Sequence, residues 1–223
     1  PRALEAAAAA CRLGVDSILV QDWGLFDLMR RSLPDLPLHA STQMSVFTSG
    51  GAAEMAADGC ERVVLARECS AEDTRAICKN CPAEVEVFVH GALCMCYSGQ
   101  CEMSAVLGQR SGNRGACAQP CRYQYALMEE KRPGEYFPVE EDQQGTYIMN
   151  SRDMCMIDHL DDLIDVGLSS LKIEGRAKSA YYAAIVTAGY RHCLDNAAAG
   201  KPMDPIWSCL LYTSPSPRDL STS

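Results

Sequence analysis

The chain has 223 residues, of which 48% are hydrophobic, so it is long enough to bury a sizeable core in one large domain or two small ones. A net charge of −9 argues against nucleic-acid binding over the whole surface, although a local basic patch stays compatible with it. No stretch approaches the roughly eighteen apolar residues of a membrane-spanning helix. The sequence shows no signal peptide. Because it begins with Pro1 rather than methionine, we expect the natural start to lie upstream.

Thirteen cysteines are the second compositional feature. Secreted disulfide scaffolds are small domains that lack an adequate core, whereas this chain is long and rich in hydrophobic residues. We therefore expect a reduced, cytoplasmic protein in which some of the thiols bind a metal.

The predicted elements alternate between helices and short apolar strands. A helix over 3–13 is followed by strand 17–22, helix 24–33, strand 37–43, helix 47–58, strand 62–68, helix 70–79 and strand 84–91. Next come a loop with five cysteines (91–122, the cysteine loop), an extended segment over 125–130 and a polar, hairpin-like insert (129–147). The pattern continues with helix 153–166, strand 169–175 and helix 179–198.

This alternation predicts βαβ units and a parallel sheet, and therefore the α/β class. Five strong strands predict a (β/α) TIM-like barrel that is incomplete at its N-terminus, lacking about two or three of the usual eight units. The catalytic domain is predicted to span 1–207. Residues 208–223 turn abruptly to serine, proline and threonine, which predicts a disordered tail, and they also resemble a translated sequencing adaptor.

Polar residues stand at or just beyond the end of each predicted strand. In a parallel barrel the carboxyl ends of the strands carry the active site, so these residues are candidates for a shared pocket. They are Gln21, Asp22, His39, Ser41, Thr42, Gln43, Arg67, Glu68, His90, Lys172, Glu174 and Arg176.

The cysteine loop is both thiol-rich and locally cationic. No acidic residue occurs between Met103 and Met128, while three arginines do. Thiolates hold iron–sulfur clusters and zinc, and glycines between the cysteines allow the loop to fold its thiols toward one point. The spacing matches neither a ferredoxin run nor the paired CxxC of a zinc ribbon, so spacing alone does not identify a metal. The concentration of thiols in one loop favours a metal centre, and thiols that bind no metal are the open alternative. The cysteines are Cys94, Cys96, Cys101, Cys117 and Cys121, and the arginines are Arg110, Arg114 and Arg122.

Three long motifs carry a resemblance to a known family. They are FVHGALCMCYSGQC with SGNRGACAQPCRY, the insert EEKRPGEYFPVEED, and NSRDMCMIDHLDDLIDVGLSSLKIEGRAKSAYYAA. They resemble the collagenase-like peptidase family U32 over about residues 14–200, and within it most closely the branch of tRNA 5-hydroxyuridine modification proteins. The resemblance implies a barrel-like catalytic domain and a [4Fe–4S] cluster, with prephenate serving the tRNA branch as a source for the oxygen-insertion chemistry. The implied ligands are Cys94, Cys101, Cys117 and Cys155, with Cys121 or Cys96 as substitutes, and zinc is the alternative metal.

Peptidase chemistry finds little support in the residues themselves. A hydrolase needs an activated nucleophile or a metal-bound water, and neither HExxH nor GxSxG occurs. His39 and His90 stand at strand ends and are candidate catalytic residues, whereas His159 and His192 lie on predicted helices. The position of His90 four residues before Cys94 is poor evidence for a catalytic pair.

The remaining candidate residues suit an anionic substrate. Lys172, Glu174 and Arg176 alternate along their strand and project to one side, so we predict that they line a polar pocket and clamp a small carboxylate such as prephenate. With the two histidines they are the candidate catalytic residues. Candidate substrate-binding residues are Gln43, Arg67, Glu68, Arg110, Arg114 and Arg122.

An RNA substrate would use the cationic loop in particular. Its arginines would contact phosphates, and Tyr123 and Tyr125 would stack on a base. A solvated loop whose arginines pair with the surplus acids is the open alternative, as is a structural ion pair for Arg67 with Glu68.

We therefore predict an RNA hydroxylase of the tRNA branch, forming 5-hydroxyuridine at a wobble position. A collagenase-like peptidase and a non-enzymatic RNA-binding or scaffold protein with structural zinc are the alternatives.

Overall fold

The computed structural model describes residues 2–94, 96–123, 126–128, 130–138, 141–142, 145–146, 153–176 and 178–213. Its helices are α1 (Arg2–Arg12), α2 (Trp23–Ser32), α3 (Ser49–Ala57), α4 (Ala71–Asn80), α5 (Met103–Gly108), α6 (Leu160–Asp165), α7 (Ala180–Ala198) and α8 (Pro205–Thr213). Its strands are β1 (Ile18–Val20), β2 (Leu38–Ala40), β3 (Arg62–Val64), β4 (Glu84–Ala92), β5 (Ala126–Met128), β6 (Tyr136–Pro138), β7 (Glu141–Asp142), β8 (Gly145–Thr146), β9 (Asp153–Cys155) and β10 (Ser170–Ile173).

Side-chain caps fix where the helices begin. The Asp22 carboxylate accepts a hydrogen bond from the Leu25 amide at 2.8 Å, and the hydroxyls of Thr48 and Ser179 cap α3 and α7 in the same way. Ser70 forms a reciprocal capping box with Asp73 at the start of α4. These caps satisfy amide groups that have no partner within the helix, and so they fix the first turn of each of these helices.

The main sheet is parallel, as the sequence predicted. Five strands lie in the order β1-β2-β3-β4-β10, and β9 pairs antiparallel with the end of β4. Two hairpins, β5–β6 and β7–β8, lie in and beside the predicted insert. Among the described residues β1 and β10 each pair with one neighbour only, so the sheet is open there and barrel closure stays a prediction.

The two faces of the sheet differ in chemistry. Apolar side chains of one face pack in two core clusters, one with α1–α4 and one with α6–α8. Residues that alternate with them point the other way. On that side Leu19 is 47% exposed, and Glu86 pairs with Lys172 at 2.7 Å and with Arg62 at 3.3 Å. One face, here called the outer face, is thus a helix-covered core, and the other, here called the inner face, carries charged side chains beside the apolar Leu19, Val64 and Phe88.

The structure corrects two predicted boundaries. The helix expected over 153–166 begins instead as β9, because this segment pairs with the end of β4, and the α-helix starts only at Leu160. A disordered tail from 208 starts too early, because α8 reaches Thr213 and packs through Trp207 and Leu211 against Gly189 on α7. Residues 214–223 lie outside the described residues.

No helix in the described part of the chain is long and apolar enough to cross a membrane.

Candidate functional site

A cavity of about 730 Å³ lies at the carboxyl ends of the parallel strands. Gln21, Gln43, Arg67 and Glu174 follow four different strands and line one side of it, and the cysteine loop forms the other side. Parallel sheets bind their ligands at this end, because loops from several strands converge there.

The cysteine loop is fastened directly to the strand ends. Gly99 has a φ of +84°, and a Cβ atom there would overlap the carbonyl oxygen of Gln43, so only glycine fits this contact. The Gln43 side-chain amide donates to the Gly112 carbonyl at 3.1 Å, and the Ser98 amide donates to the Glu68 carboxylate at 2.9 Å. Gln43 and Glu68, which the sequence predicted to bind substrate, therefore hold the loop in place.

All five cysteines of the loop line the cavity: Cys94, Cys96, Cys101, Cys117 and Cys121. Burial raises the pKa of Cys96 to about 11, and the Cys101 thiol, which shares a hydrogen bond with it, contributes to the shift. Burial also raises the pKa of Cys121, as do the neighbouring thiols of Cys94 and Cys117. At Cys96 and Cys121 the neighbouring thiols thus add to the effect of burial, and a thiolate at either position is costly unless a cation compensates it.

This donor set fits a sulfur-bound metal in its chemistry. In the ranges that the structure describes, no three Cys, His, Asp or Glu side chains already form a compact metal-binding group. Binding would therefore draw the thiols of the loop closer together.

Cys155 lies apart from the other predicted ligands. It is on β9, opposite His90, and packs against the core cluster that contains Val89 and Tyr190. Burial raises its pKa, and it is not among the described residues of the cavity wall. Cys94, Cys101 and Cys117 thus lie at the cavity together with the substitute Cys121, and the ligand set stays a prediction.

Two charged side chains in the cavity wall keep buried atoms without a hydrogen-bond partner among the described residues: Arg67 through Nε and Glu174 through Oε2. Arg67 stacks on Phe88, with its guanidinium carbon 4.2 Å from the ring centroid. Burial lowers the pKa of Arg67 despite the neighbouring Cys94 and Glu174. Unsatisfied buried polar atoms are rare in proteins, so their presence beside a cavity indicates a place for a polar ligand.

The KIEGR segment contributes three side chains to the cavity wall. Lys172, Glu174 and Arg176 all line the cavity. Lys172 is engaged with Glu86, and Arg176 donates through Nη1 to the Gly115 carbonyl at 3.1 Å. The guanidinium of Arg176 thus bridges the strand end and the cysteine loop.

Neither candidate histidine lies on the cavity wall. His39 is the middle residue of β2, close to the Ser17 hydroxyl at 3.3 Å, and lines a second cavity of about 780 Å³ at the amino ends of the strands. His90 is 3% exposed and packs between the rings of Tyr182 and Tyr190. Burial lowers the pKa of both histidines, so each is held neutral inside the fold. Both lie near a strand end as predicted, one residue before the end of β2 and two before the end of β4, but they face away from the cavity, and their catalytic role stays a prediction.

The arginines of the loop have three different environments. Arg114 lines the cavity, while Arg110 is exposed and donates to the Ala116 carbonyl at 2.9 Å. Arg122 is 5% exposed and forms an ion pair with Asp153, so it contributes charge to the cavity wall rather than to the outer surface. Tyr123 is half exposed, and Tyr125 lies outside the described residues.

Sequence reasoning missed a buried network behind the loop. Asp153 accepts hydrogen bonds from Arg122, from Lys178 at 2.7 Å and from the Tyr182 hydroxyl at 2.8 Å. Burial alone would raise the pKa of Asp153, but these donors outweigh it and lower the pKa to about 2. Asp153 and Lys178 stand inside the NSRDMC and KIEGRAK motifs, yet nothing in their spacing predicts that they meet.

Comparison with known proteins identifies a family and several relatives of this chain. The model of Peptidase family U32 matches residues 1–220. The tRNA hydroxylation protein P of Escherichia coli (strain K12) is 38% identical over an alignment that covers 86% of this chain and 51% of that protein. The tRNA hydroxylation protein P1 of Bacillus subtilis (strain 168) is 36% identical, with 81% of this chain and 43% of that protein covered.

Two further matches widen the comparison. A 23S rRNA 5-hydroxycytidine synthase of Escherichia coli (strain K12) is 40% identical over 82% of this chain and 26% of that protein. A solved structure of a U32 peptidase matches with a TM-score of 0.42 and 17% identity over 78% of this chain and 62% of that chain. The chain spans about half the length, or less, of these curated relatives. On the strength of the family match over nearly its whole length, the chain belongs to peptidase family U32.

Proposed function

We propose that this chain takes part in hydroxylation of a tRNA wobble uridine to 5-hydroxyuridine, in a reaction that depends on a [4Fe–4S] cluster and on a small carboxylate such as prephenate. The observation that carries the proposal is the cavity itself, where five thiols face an arginine and a glutamate with unpartnered buried atoms. The names of the relatives from Escherichia coli and Bacillus subtilis, tRNA hydroxylation proteins, support the same substrate class.

The cluster would be held by Cys94, Cys101 and Cys117, with Cys155 or Cys121 as the fourth ligand. Sulfur donors select an iron–sulfur cluster or zinc over harder cations, and the loop offers several at one cavity. When bound, the cluster supplies a site that polarises substrate or carries electrons. Cys155 needs a local rearrangement of β9 to reach the cavity, whereas Cys121 already lines it.

The carboxylate would bind beside Arg67. The Nε–H of Arg67 is buried and unpartnered among the described residues, and the positive charges of Lys172 and Arg176 lie on the same cavity wall. A carboxylate there would accept hydrogen bonds from Arg67, and charge-assisted bonds of this kind are among the strongest in proteins. Glu174, whose Oε2 is also unpartnered among the described residues, would accept a hydrogen bond from a hydroxyl or amide group of the carboxylate ligand or of the uridine base.

RNA would approach over the cysteine loop. Arg114 at the cavity and Arg110 on the exposed side offer two cations for phosphates, and the half-exposed ring of Tyr123 offers a stacking surface. Arg122 is engaged with Asp153 and would act through the charge it brings to the cavity wall.

In the complete fold we propose that the open sheet becomes a (β/α) barrel. Its inner face carries the Lys172–Glu86–Arg62 ion pairs and the exposed Leu19, which a barrel lumen would enclose. Further strands would pair with the free edges of β1 and β10.

The experiment is a complementation test. The gene that encodes this chain is expressed in a bacterium that lacks its own tRNA hydroxylation proteins, and the tRNA nucleosides are measured by mass spectrometry. We expect 5-hydroxyuridine derivatives to return, and to be lost with Arg67→Leu or Arg176→Ala at unchanged protein levels. Cleavage of a collagen-like substrate that survives Cys94→Ser with Cys101→Ser, and no tRNA modification, would favour a peptidase instead.

A second test assigns the fourth ligand. Cys121→Ser and Cys155→Ser are each purified without oxygen and analysed for iron and sulfide. The variant that lowers iron content identifies the ligand, and the other serves as its matched control.

A further inference from the structure

Asp153 lies where the two ends of the cysteine loop meet. In the β4–β9 ladder it is the direct partner of Ala92, the last residue before the segment 93–121. Its carboxylate forms an ion pair with Arg122, the first residue after that segment. One residue therefore connects the entry and the exit of the stretch that carries all five thiols of the loop, through its backbone at the entry and through its carboxylate at the exit.

The same carboxylate connects the loop to the scaffold. Lys178, whose side chain is 4% exposed, pairs with it at 2.7 Å, and the Tyr182 hydroxyl on α7 donates to it at 2.8 Å. The amino group of Lys178 also lies 4.9 Å from the centroid of the Tyr182 ring. Four segments thus meet at Asp153: β9, the end of the loop, the turn before α7, and α7 itself.

These contacts are stronger than the other fastenings of the loop. Gln43 and Ser98 hold its middle through bonds in which at most one partner is charged. The bonds of Asp153 to Arg122 and Lys178 join opposite charges, and both cations are almost fully buried. Removing one partner of a buried ion pair is costly, because the other charge stays buried without compensation.

We infer that Asp153 is a positioning residue that closes the cysteine loop and so holds its thiols at the cavity, where a cluster would draw them together. The closure itself is a property of the polypeptide, and the part that concerns the cluster rests on the proposed function. Bringing the ends of a long flexible segment together costs entropy, and a buried ion pair at those ends offsets that cost in the folded state.

The closing experiment measures the loop with and without metal. Hydrogen–deuterium exchange of the metal-free chain follows the amides of 93–121 in the wild type and in Asp153→Asn, which keeps the shape and removes the charge. We expect loop exchange to rise about tenfold or more, the effect of losing a charge-assisted bond, while amides of β1–β3 keep their rates. Asp162→Asn, the same change at a carboxylate that is 80% exposed, should leave the loop unaltered.

With the reconstituted cluster, we expect Asp153→Asn to lose iron to a chelator about 10- to 100-fold faster than the wild type, with an altered spectrum of the reduced cluster. Should Asp153→Asn not fold, Tyr182→Phe removes one donor with the ring retained and should change both readouts in the same direction by less.

The two proposals fail separately. Unchanged exchange of 93–121 in both variants overturns the positioning role, whatever the metal content. A wild-type chain that takes up no iron overturns the cluster, while the exchange experiment still decides the role of Asp153. If Asp153→Asn lowers the unfolding free energy but changes neither the exchange rate of the loop nor the rate of iron loss, Asp153 is a general stabilising residue. That result would also overturn the inference.

Discussion

The two ends of the parallel sheet both carry charged residues, but among the described residues only the carboxyl end has charged side chains with unpartnered buried atoms. At the amino end Arg62 donates to Glu84 at 2.7 Å and pairs with Glu86, while His39 lies 3.3 Å from the Ser17 hydroxyl. At the carboxyl end Arg67 and Glu174 keep buried atoms without a partner among the described residues.

This difference separates stability from function. Polar groups that pair with one another contribute to the folded state and have little left to offer a ligand. Polar groups held unpartnered beside a cavity cost stability, and a ligand that pairs with them recovers that cost on binding. Enzymes built on parallel barrels divide the two ends in this way, with stability at the amino end and chemistry at the carboxyl end.

The thiols offer the largest contrast between the ends. Cys94→Ser with Cys101→Ser removes two donors at the carboxyl end and should abolish cluster binding and tRNA modification. This loss should exceed the roughly 100-fold decrease in metal affinity or activity that follows when only residues behind the ligands are changed. Cys60→Ala, which removes a buried thiol at the amino end, should keep the iron content and lower only the unfolding free energy. Iron analysis, nucleoside mass spectrometry and urea unfolding measure the three quantities. Equal iron in both variants would contradict the assignment.

The two arginines should respond in opposite ways. Arg67→Leu should weaken binding of prephenate by about 10- to 100-fold, the loss of a charge-assisted hydrogen bond, and leave the unfolding free energy equal or higher because an unpartnered group is removed. Arg62→Leu should lower the unfolding free energy by about 1–3 kcal/mol, because Glu86 loses one of its partners, with prephenate binding retained. Titration calorimetry and urea unfolding on both variants test this pair, and a stability loss confined to Arg67→Leu would reverse the comparison.

The unfolding free energy should fall in acid, because the paired carboxylate of Glu86 on the inner face of the sheet becomes protonated. Burial alone would raise the pKa of Glu86, but hydrogen bonds from Lys172 and Ser170 outweigh it, so the pKa lies below its ordinary value of 4.5. The unfolded chain then takes up the proton first as pH falls. The stabilisation is complete above about pH 5 and is lost as the pH drops through the folded-state pKa.

Glu86→Gln should therefore be less stable than the wild type at pH 7, and the difference should shrink toward pH 3. The exposed Glu61→Gln should show no such trend. A constant difference for Glu86→Gln across this range, followed by urea unfolding, would contradict the pairing.

The smallest expected effect concerns RNA. Arg114→Ala should weaken tRNA binding modestly and reduce the slope of log affinity against log salt by about 0.7, the contribution of one phosphate contact on a single strand. Arg31→Ala, on the exposed side of α2, should leave the slope unchanged. Filter binding at several salt concentrations measures both, and equal slopes for Arg114→Ala and the wild type would remove Arg114 from the RNA surface.

Much of the fold was predictable because local signals agree with it. Apolar runs at β1 to β4 alternate with helices that are capped by Asp22, Thr48 and Ser70, and the parallel sheet follows from that alternation. The start of β9 was missed, since Asp153–Cys155 becomes a strand only through its pairing with β4, which is distant in the chain.

The sequence predicted which segments of the chain meet at the site, but not which individual side chains pair with one another there. The cysteine loop and the KIEGR segment meet at one cavity, as strand-end reasoning expects. His39 and His90 show the limit of this reasoning, because a residue one or two positions inside a strand end can face a different cavity or the core. The partners of Arg122 and Asp153 could not be foreseen, because an ion pair between residues 122 and 153 depends on how the loop returns to the sheet.

The most direct test of the account is iron and acid-labile sulfide analysis of the chain, purified and reconstituted without oxygen, with electron paramagnetic resonance after reduction. We predict about four iron and four sulfide per chain and the signal of a reduced [4Fe–4S] cluster, all lost with Cys94→Ser and Cys101→Ser. Stoichiometric zinc without iron, or iron that survives this double substitution, would contradict the claim that the cavity at the carboxyl end of the sheet is built to hold a cluster.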